Sequence, residues 1–260
     1  MRYVFIGGLL LLTSIACLAG DFDAALLVAF DEDVKELSGL LNEVGTPMVF
    51  SQRTFHRLMA YPQKFLAVVS RAGLQESCST ADAALMKFKA DRIISIGVAG
   101  SLSEKYKQGD IIVVRRVGRH DRGTYSGLCN FTAKDDQLTP LQWDSWLDNF
   151  HKRLKILAEE RGITIHEDVL ISGNSFISSE EKRQQLATRF KADLVDMNSA
   201  GILESTQSMG APCYIIRVVS DYANETAGDD FKKFIENRVN NLTPLIALVA
   251  DALKNPLVGE

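Results

Sequence analysis

Short apolar runs alternate with amphipathic stretches along most of the chain, the pattern of an α/β fold. Residues 24–30 (AALLVAF) open directly into Asp31-Glu32-Asp33-Val34-Lys35-Glu36-Leu37, with further apolar positions at Leu40 and Leu41, which reads as strand then helix. Three acidic residues in that first turn suit the positive end of the helix dipole without any chemistry. Residues 55–59 and 65–70 flank Tyr61-Pro62-Gln63-Lys64 as a hairpin, and the turn at 72–77 leads into a helix reaching Lys89. Residues 92–96 form a strand that runs into the small-residue turn Gly97-Val98-Ala99-Gly100-Ser101, and another strand begins at 109–114. Further strands are predicted at 169–172, 194–197 and 214–219, with helices at 146–161, 180–190, 200–208 and 230–253. Residues 123–144 lack periodicity and read as a loop long enough to cover a site. With no linker, repeat or low-complexity tract, residues 21–260 are expected to form one domain, a three-layer α/β/α sandwich around a twisted mixed β-sheet.

Residues 1–20 break this pattern. Arg2 precedes the apolar run 3–12, and small residues follow at Ala16, Ala19 and Gly20, the layout of a secretory signal peptide. Export is expected, to a periplasm, a cell surface or the medium, and the apolar run is too short for a membrane span. Ile15-Ala16-Cys17 also resembles the end of a lipobox, with Ser14 where Leu is usual, so lipidation at Cys17 is the lesser alternative.

A net charge of -4 and scattered Lys and Arg give no general attraction to nucleic acid. Without the signal segment three cysteines remain, Cys78, Cys129 and Cys213, too few and too odd for a disulfide framework. Cys213 reads as a small core residue, and Cys78 and Cys129 pair only if the fold brings them together. His56, His120, His151 and His166 share no metal-ligand spacing, so no metal is expected.

Candidate chemistry centres on Arg217-Val218-Val219-Ser220-Asp221, where a strand buried on both faces delivers a carboxylate to its end, the place where ligands collect in α/β folds. An isolated Asp there is more often a turn or cap residue. The sequons at Asn130, Asn224 and Asn241 are read as chance, since a glycan on Asn224 would crowd Asp221.

Three segments read in order change the odds for Asp221. They are Ile96-Gly97-Val98-Ala99-Gly100-Ser101 with Gly109-Asp110-Ile111 downstream, Ser172-Gly173-Asn174-Ser175-Phe176-Ile177, and Val195-Asp196-Met197-Asn198 with Arg217–Asp221 and Phe231. From about Ala24 to the C-terminal helix the chain resembles the purine nucleosidase and nucleoside phosphorylase superfamily, most closely 5'-methylthioadenosine/S-adenosylhomocysteine nucleosidase. The resemblance implies a homodimer that needs neither metal nor organic cofactor and hydrolyses the N-glycosidic bond of a purine nucleoside. Asp221 would be the general acid for the purine leaving group and Asp31 the base for water. Phe176 would stack on the base and Ile177 would hydrogen-bond it through its backbone. Met197, Asn198, Ser220, Phe231 and Val98 would line the sugar and 5'-substituent.

The chain departs from the family pattern at three of these positions. Asp31 replaces a Glu one methylene longer, Asn198 replaces a Glu that grips the ribose, and Val98 replaces a Ser. A neutral amide accepts through one oxygen and brings no charge to a developing cation. Two alternatives therefore stay open: a nucleoside-binding, storage or surface protein of the same fold, and phosphorolysis. The second is weakened because the turn at 73–77 has no Arg to hold phosphate, unless Arg217 faces inward.

Overall fold

The computed structural model describes residues 20–121 and 137–254. The signal-like segment up to Ala19, Cys17, Cys129, the sequon at Asn130 and most of the 123–144 loop lie outside them. The first unit is β1 (Ala24–Val28), α1 (Asp31–Leu41), β2 (Met48–Phe50), β3 (Arg53–Ala60) and β4 (Gln63–Val69). Next come α2 (Leu74–Asp82), a π-helical turn (Ala83–Lys87), β5 (Ile93–Ser101), β6 (Ile111–Arg119) and β7 (Thr139–Pro140). The chain continues through α3 (Ser145–Glu160), β8 (Ile165–Ser172), α4 (Glu180–Phe190), β9 (Leu194–Asp196), α5 (Ser199–Met209) and β10 (Cys213–Asp221). It closes with α6 (Ala227–Glu236), α7 (Arg238–Asn241) and α8 (Thr243–Lys254).

One mixed sheet holds the ten strands of the described residues. β5 lies parallel to β1 on one side and to β10 on the other. β10 also pairs β6 antiparallel, β6 pairs β8, β8 pairs β9, and β9 returns to β5 at Gly100 and Ser101, so five strands close into a ring. A wing of β1, β4, β3 and β2 extends from it. Side chains alternate across the central strands, as pleating requires. Leu26 and Val28, Ile94 and Ile96, and Tyr214, Ile216 and Val218 join a core with α1, α3 and α8. Ala25 and Leu27, Ile93, and Cys213, Ile215 and Val219 join the opposite core with α2 and α5. This gives the expected three layers.

Two elements differ from the sequence reading. Gly97-Val98-Ala99-Gly100-Ser101 continues β5 instead of turning, because β10 pairs this segment through Gly100 and β9 pairs its end. The long helix expected at 230–253 is three helices. Asn237 leaves helical geometry between α6 and α7, Leu242 separates α7 from α8, and Pro244 sits in the first turn of α8, where its missing N–H costs nothing. β2, β7 and the π-helical turn carry no strong local pattern and were not foreseen. Cys78 is disulfide-bonded, and Cys213 is a free, buried thiol. Among the described residues no helix is long and apolar enough to cross a membrane.

Candidate active site

A cavity of about 430 Å³ opens beyond the carboxyl ends of β1, β4, β5 and β10, where β8 and β9 also finish. Its floor is Ser220 and Asp221. β10 is buried along its full length, so Asp221 ends the strand with 2% exposure. Its Oδ2 lies 2.7 Å from the Ser220 hydroxyl, and its Oδ1 accepts from the Ala223 amide at 3.0 Å. Burial pushes the carboxyl above its ordinary value and Asp230 adds to that, while the two hydrogen bonds partly offset it. The floor therefore carries a carboxyl predisposed to hold a proton.

Room for that carboxyl comes from Gly100 on the adjoining strand. A Cβ built there would stand 2.7 Å from Asp221 Oδ1, inside contact distance. Gly100→Ala is expected to displace the acid and lower turnover on the order of a hundredfold, the cost of a misplacement near 1 Å. Gly97→Ala is the control, since its Cβ would meet Arg217 and Ala29 at 3.6 and 3.7 Å, ordinary contact. Steady-state rates of the two variants, with melting curves to verify folding, check this.

The walls come from distant parts of the chain. Phe176, 47% exposed, stands at the mouth and meets Phe231 of α6 edge to face, ring centres 6.1 Å apart. Ile177 is buried beneath it. Val98 of β5 and Met197 and Asn198 after β9 complete the set. Eight of the nine residues singled out in the sequence thus share one cavity: Asp221, Ser220, Phe176, Ile177, Phe231, Val98, Met197 and Asn198.

Asp31 does not. It is exposed in the first turn of α1 and lines no part of the cavity. A helix turns about 100° per residue, and Leu37 and Leu41 mark the inward stripe. Asp33, four residues before Leu37, shares that stripe and is fully buried. Its Oδ2 accepts from the Phe30 amide at 3.0 Å, and its Oδ1 pairs with Arg238. Arg238 also holds Glu36 at 2.6 Å, and Thr243 donates to the same Glu36 oxygen at 2.9 Å. Asp33 stands behind Phe30, which is itself a wall of the cavity.

Burial outweighs Arg238 and pushes Asp33 up to about 6, and the paired carboxylates hold Arg238 above its ordinary value. The folded Asp33 thus keeps a proton that the unfolded chain would release, so its contribution to stability falls as pH rises from 3.8 to about 6. The unfolding free energy of the native protein minus that of Asp33→Asn is expected to decline across this window in urea titrations. A flat difference would contradict it.

The turn after β9 rests on a second buried network, absent from the sequence reading. Asp196 Oδ1 accepts from the amides of Asn198 and Ser199 at 3.2 and 3.1 Å. Its Oδ2 accepts from the Ser199 hydroxyl at 2.5 Å and from Arg217 Nε at 2.9 Å. Arg217, 2% exposed, spends its other nitrogens on Ser95, Ser199 and the Ile216 carbonyl. It does not face the cavity, and no Lys, Arg or His is among the described lining residues. The same turn is stitched to the segment after β4. Gly73 donates to Met197 O at 3.0 Å, and Asn198 Nδ2 to Arg71 O at 2.7 Å and Ser70 Oγ at 3.4 Å. Ser70, a further wall residue, could have been sought as the polar end of the apolar run before Gly73. Among the described residues no group of three or more His, Cys, Asp or Glu is placed to hold a metal.

Residues 23–254 match the family model described as the phosphorylase superfamily. The chain belongs to the phosphorylase superfamily. Among similar members is an aminodeoxyfutalosine nucleosidase of Helicobacter pylori, 25% identical over 232 residues, covering 88% of this chain and 98% of that protein. A 5'-methylthioadenosine/S-adenosylhomocysteine nucleosidase of Staphylococcus aureus is 26% identical over 216 residues, covering 81% of this chain and 91% of that one. The solved native structure of futalosine hydrolase of Helicobacter pylori superposes with a TM-score of 0.72 at 24% identity, over 91% of this chain and 97% of that one. The Campylobacter jejuni 5'-methylthioadenosine/S-adenosylhomocysteine nucleosidase structure gives 0.74 at 22%, over 90% and 99%. This phosphorylase-superfamily chain thus has the fold that its three sequence segments led one to expect.

Proposed function

We propose that this protein hydrolyses the N-glycosidic bond of a purine nucleoside, with Asp221 as the general acid. One observation carries the reading: a buried carboxyl, raised above its ordinary value, at the floor of an apolar cavity walled by Phe176 and Phe231. The proton of Asp221 passes to a purine ring nitrogen as the C1'–N bond breaks, and the bonding electron pair leaves with the base. Water then adds to the oxocarbenium-like carbon and sheds its proton to solvent, and Asp221 is reprotonated for the next turnover. Similar proteins named as nucleosidases support hydrolysis, and the lack of a cation among the described lining residues argues against phosphorolysis.

A binding or storage role is the second reading. It is favoured by the state of three carboxylates that could have activated water: Asp31 is exposed, Asp33 is paired behind Phe30, and both oxygens of Asp196 are occupied. Free base released from methylthioadenosine, S-adenosylhomocysteine, adenosine, inosine and guanosine, with and without phosphate, separates the readings. Phosphate-independent release supports hydrolysis, and saturable binding without release supports storage.

Export from the cytoplasm is part of this reading; the signal-like residues 1–20 support it, as does the disulfide at Cys78, a bond that persists in oxidising compartments. A homodimer is proposed on the family resemblance alone, and light scattering of the mature chain tests it.

A further inference from the structure

We infer that the sugar this cavity accepts lacks the 2'-hydroxyl, so that the preferred substrates are 2'-deoxynucleosides; the inference rests on the nucleoside reading above. With the base between Phe176 and Asp221, the sugar falls against the ends of β5 and β9. β5 runs beside β10 in parallel register, Val98 opposite Val218 and Gly100 opposite Asp221, and the Val98 methyls form an apolar part of the cavity wall on the sugar side of the acid. The polar wall lies beyond it, at Asn198 and Ser70.

The hydrogen-bonding capacity of that wall can be counted. Asn198 Nδ2 points at the Arg71 carbonyl, which only accepts, and this fixes which end of the amide is nitrogen. Both of its hydrogens go to Arg71 O and Ser70 Oγ, leaving Oδ1 as a lone acceptor. Ser70 Oγ accepts that bond and keeps its own hydrogen to donate. Asp196 adds nothing, because four donors already occupy its oxygens. One acceptor and one donor satisfy one hydroxyl, the 3'-hydroxyl. A second hydroxyl pressed against Val98 would lose its water without gaining a partner, a penalty of about tenfold or more in binding.

The bond chemistry points the same way. A 2'-oxygen withdraws electrons from C1' and opposes the cation formed as the base departs. Among the described lining residues the carboxyl groups are the acid itself and Asp196, whose oxygens are already occupied, so neither is free to counter that. A glycosidic bond that breaks more readily suits such a site.

The test is calorimetric binding of adenosine, 2'-deoxyadenosine and 3'-deoxyadenosine to the mature Asp221→Asn protein, with base release by the native enzyme measured in parallel. The expected result is that 2'-deoxyadenosine binds about tenfold more tightly than adenosine and more tightly than 3'-deoxyadenosine, and that it gives the highest kcat/KM. Val98→Ser with Asn198→Glu should reverse the preference by about tenfold, and Val98→Ser alone serves if the double variant does not fold. Adenosine binding as tightly as 2'-deoxyadenosine, or tighter binding of 3'-deoxyadenosine, overturns the inference and leaves hydrolysis standing. Preference for 2'-deoxyadenosine without base release sinks hydrolysis and leaves the inference intact. Binding of none of the three overturns both.

Discussion

Asp221→Asn is expected to lower base release by about 10²- to 10⁴-fold, the usual contribution of a positioned general acid, while nucleoside binding persists. Asn keeps the size of the side chain and can still accept from the Ala223 amide, so folding should be unaffected. What disappears is the transferable proton. The pH profile gives a second readout. Activity needs the protonated carboxyl, which burial maintains to higher pH than an exposed Asp, so native turnover should fall as pH rises through that raised value. The residual rate of Asp221→Asn should not follow this limb. Rates from a discontinuous assay of released base, set against calorimetric Kd, decide it, and an unchanged rate would rule Asp221 out as the acid.

Arg217→Met should be the most destabilising of the substitutions considered, by about 3–5 kcal/mol, because it strands the Asp196 carboxylate in a buried site. For a chain of this size that corresponds to roughly 10 °C or more in Tm. Arg217→Met with Asp196→Leu should recover only part of the loss: the double change removes the stranded charge, yet the amides of Asn198 and Ser199 lose their acceptor. Calorimetric melting of the three proteins tests this, and equal stability of native and Arg217→Met would show the pair to be dispensable.

Legibility in the sequence followed the strength of local signals. β10 and β1 were readable because uninterrupted apolar runs of strand length have few other uses, and α4 because acidic residues open it and its stripe is regular. The Gly97–Ser101 segment misled because glycines usually mark turns, whereas here β9 and β10 supply pairing partners far away in sequence. Cavity residues at strand ends were found through motif order, which fixes their place without knowledge of packing. Asp31 was put forward on the family resemblance, and charge at a helix start carries no direction of its own. The i, i+4, i+8 relation among Asp33, Leu37 and Leu41 was the available clue to which acid turns inward. The Arg217–Asp196 pair joins residues 21 apart, and nothing local announces such a contact.

The stitching of Asn198 to Arg71 bears on how this pocket can be re-engineered. The two segments are 127 positions apart, yet the orientation of one amide depends on the backbone of the other. In a library that varies Asn198 alone, every replacement without an N–H donor gives up the bond to the Arg71 carbonyl and with it the fixed orientation of that wall. Selectivity for new sugars will be reached by randomising Ser70 and Asn198 together, with Arg71 left as the fixed anchor.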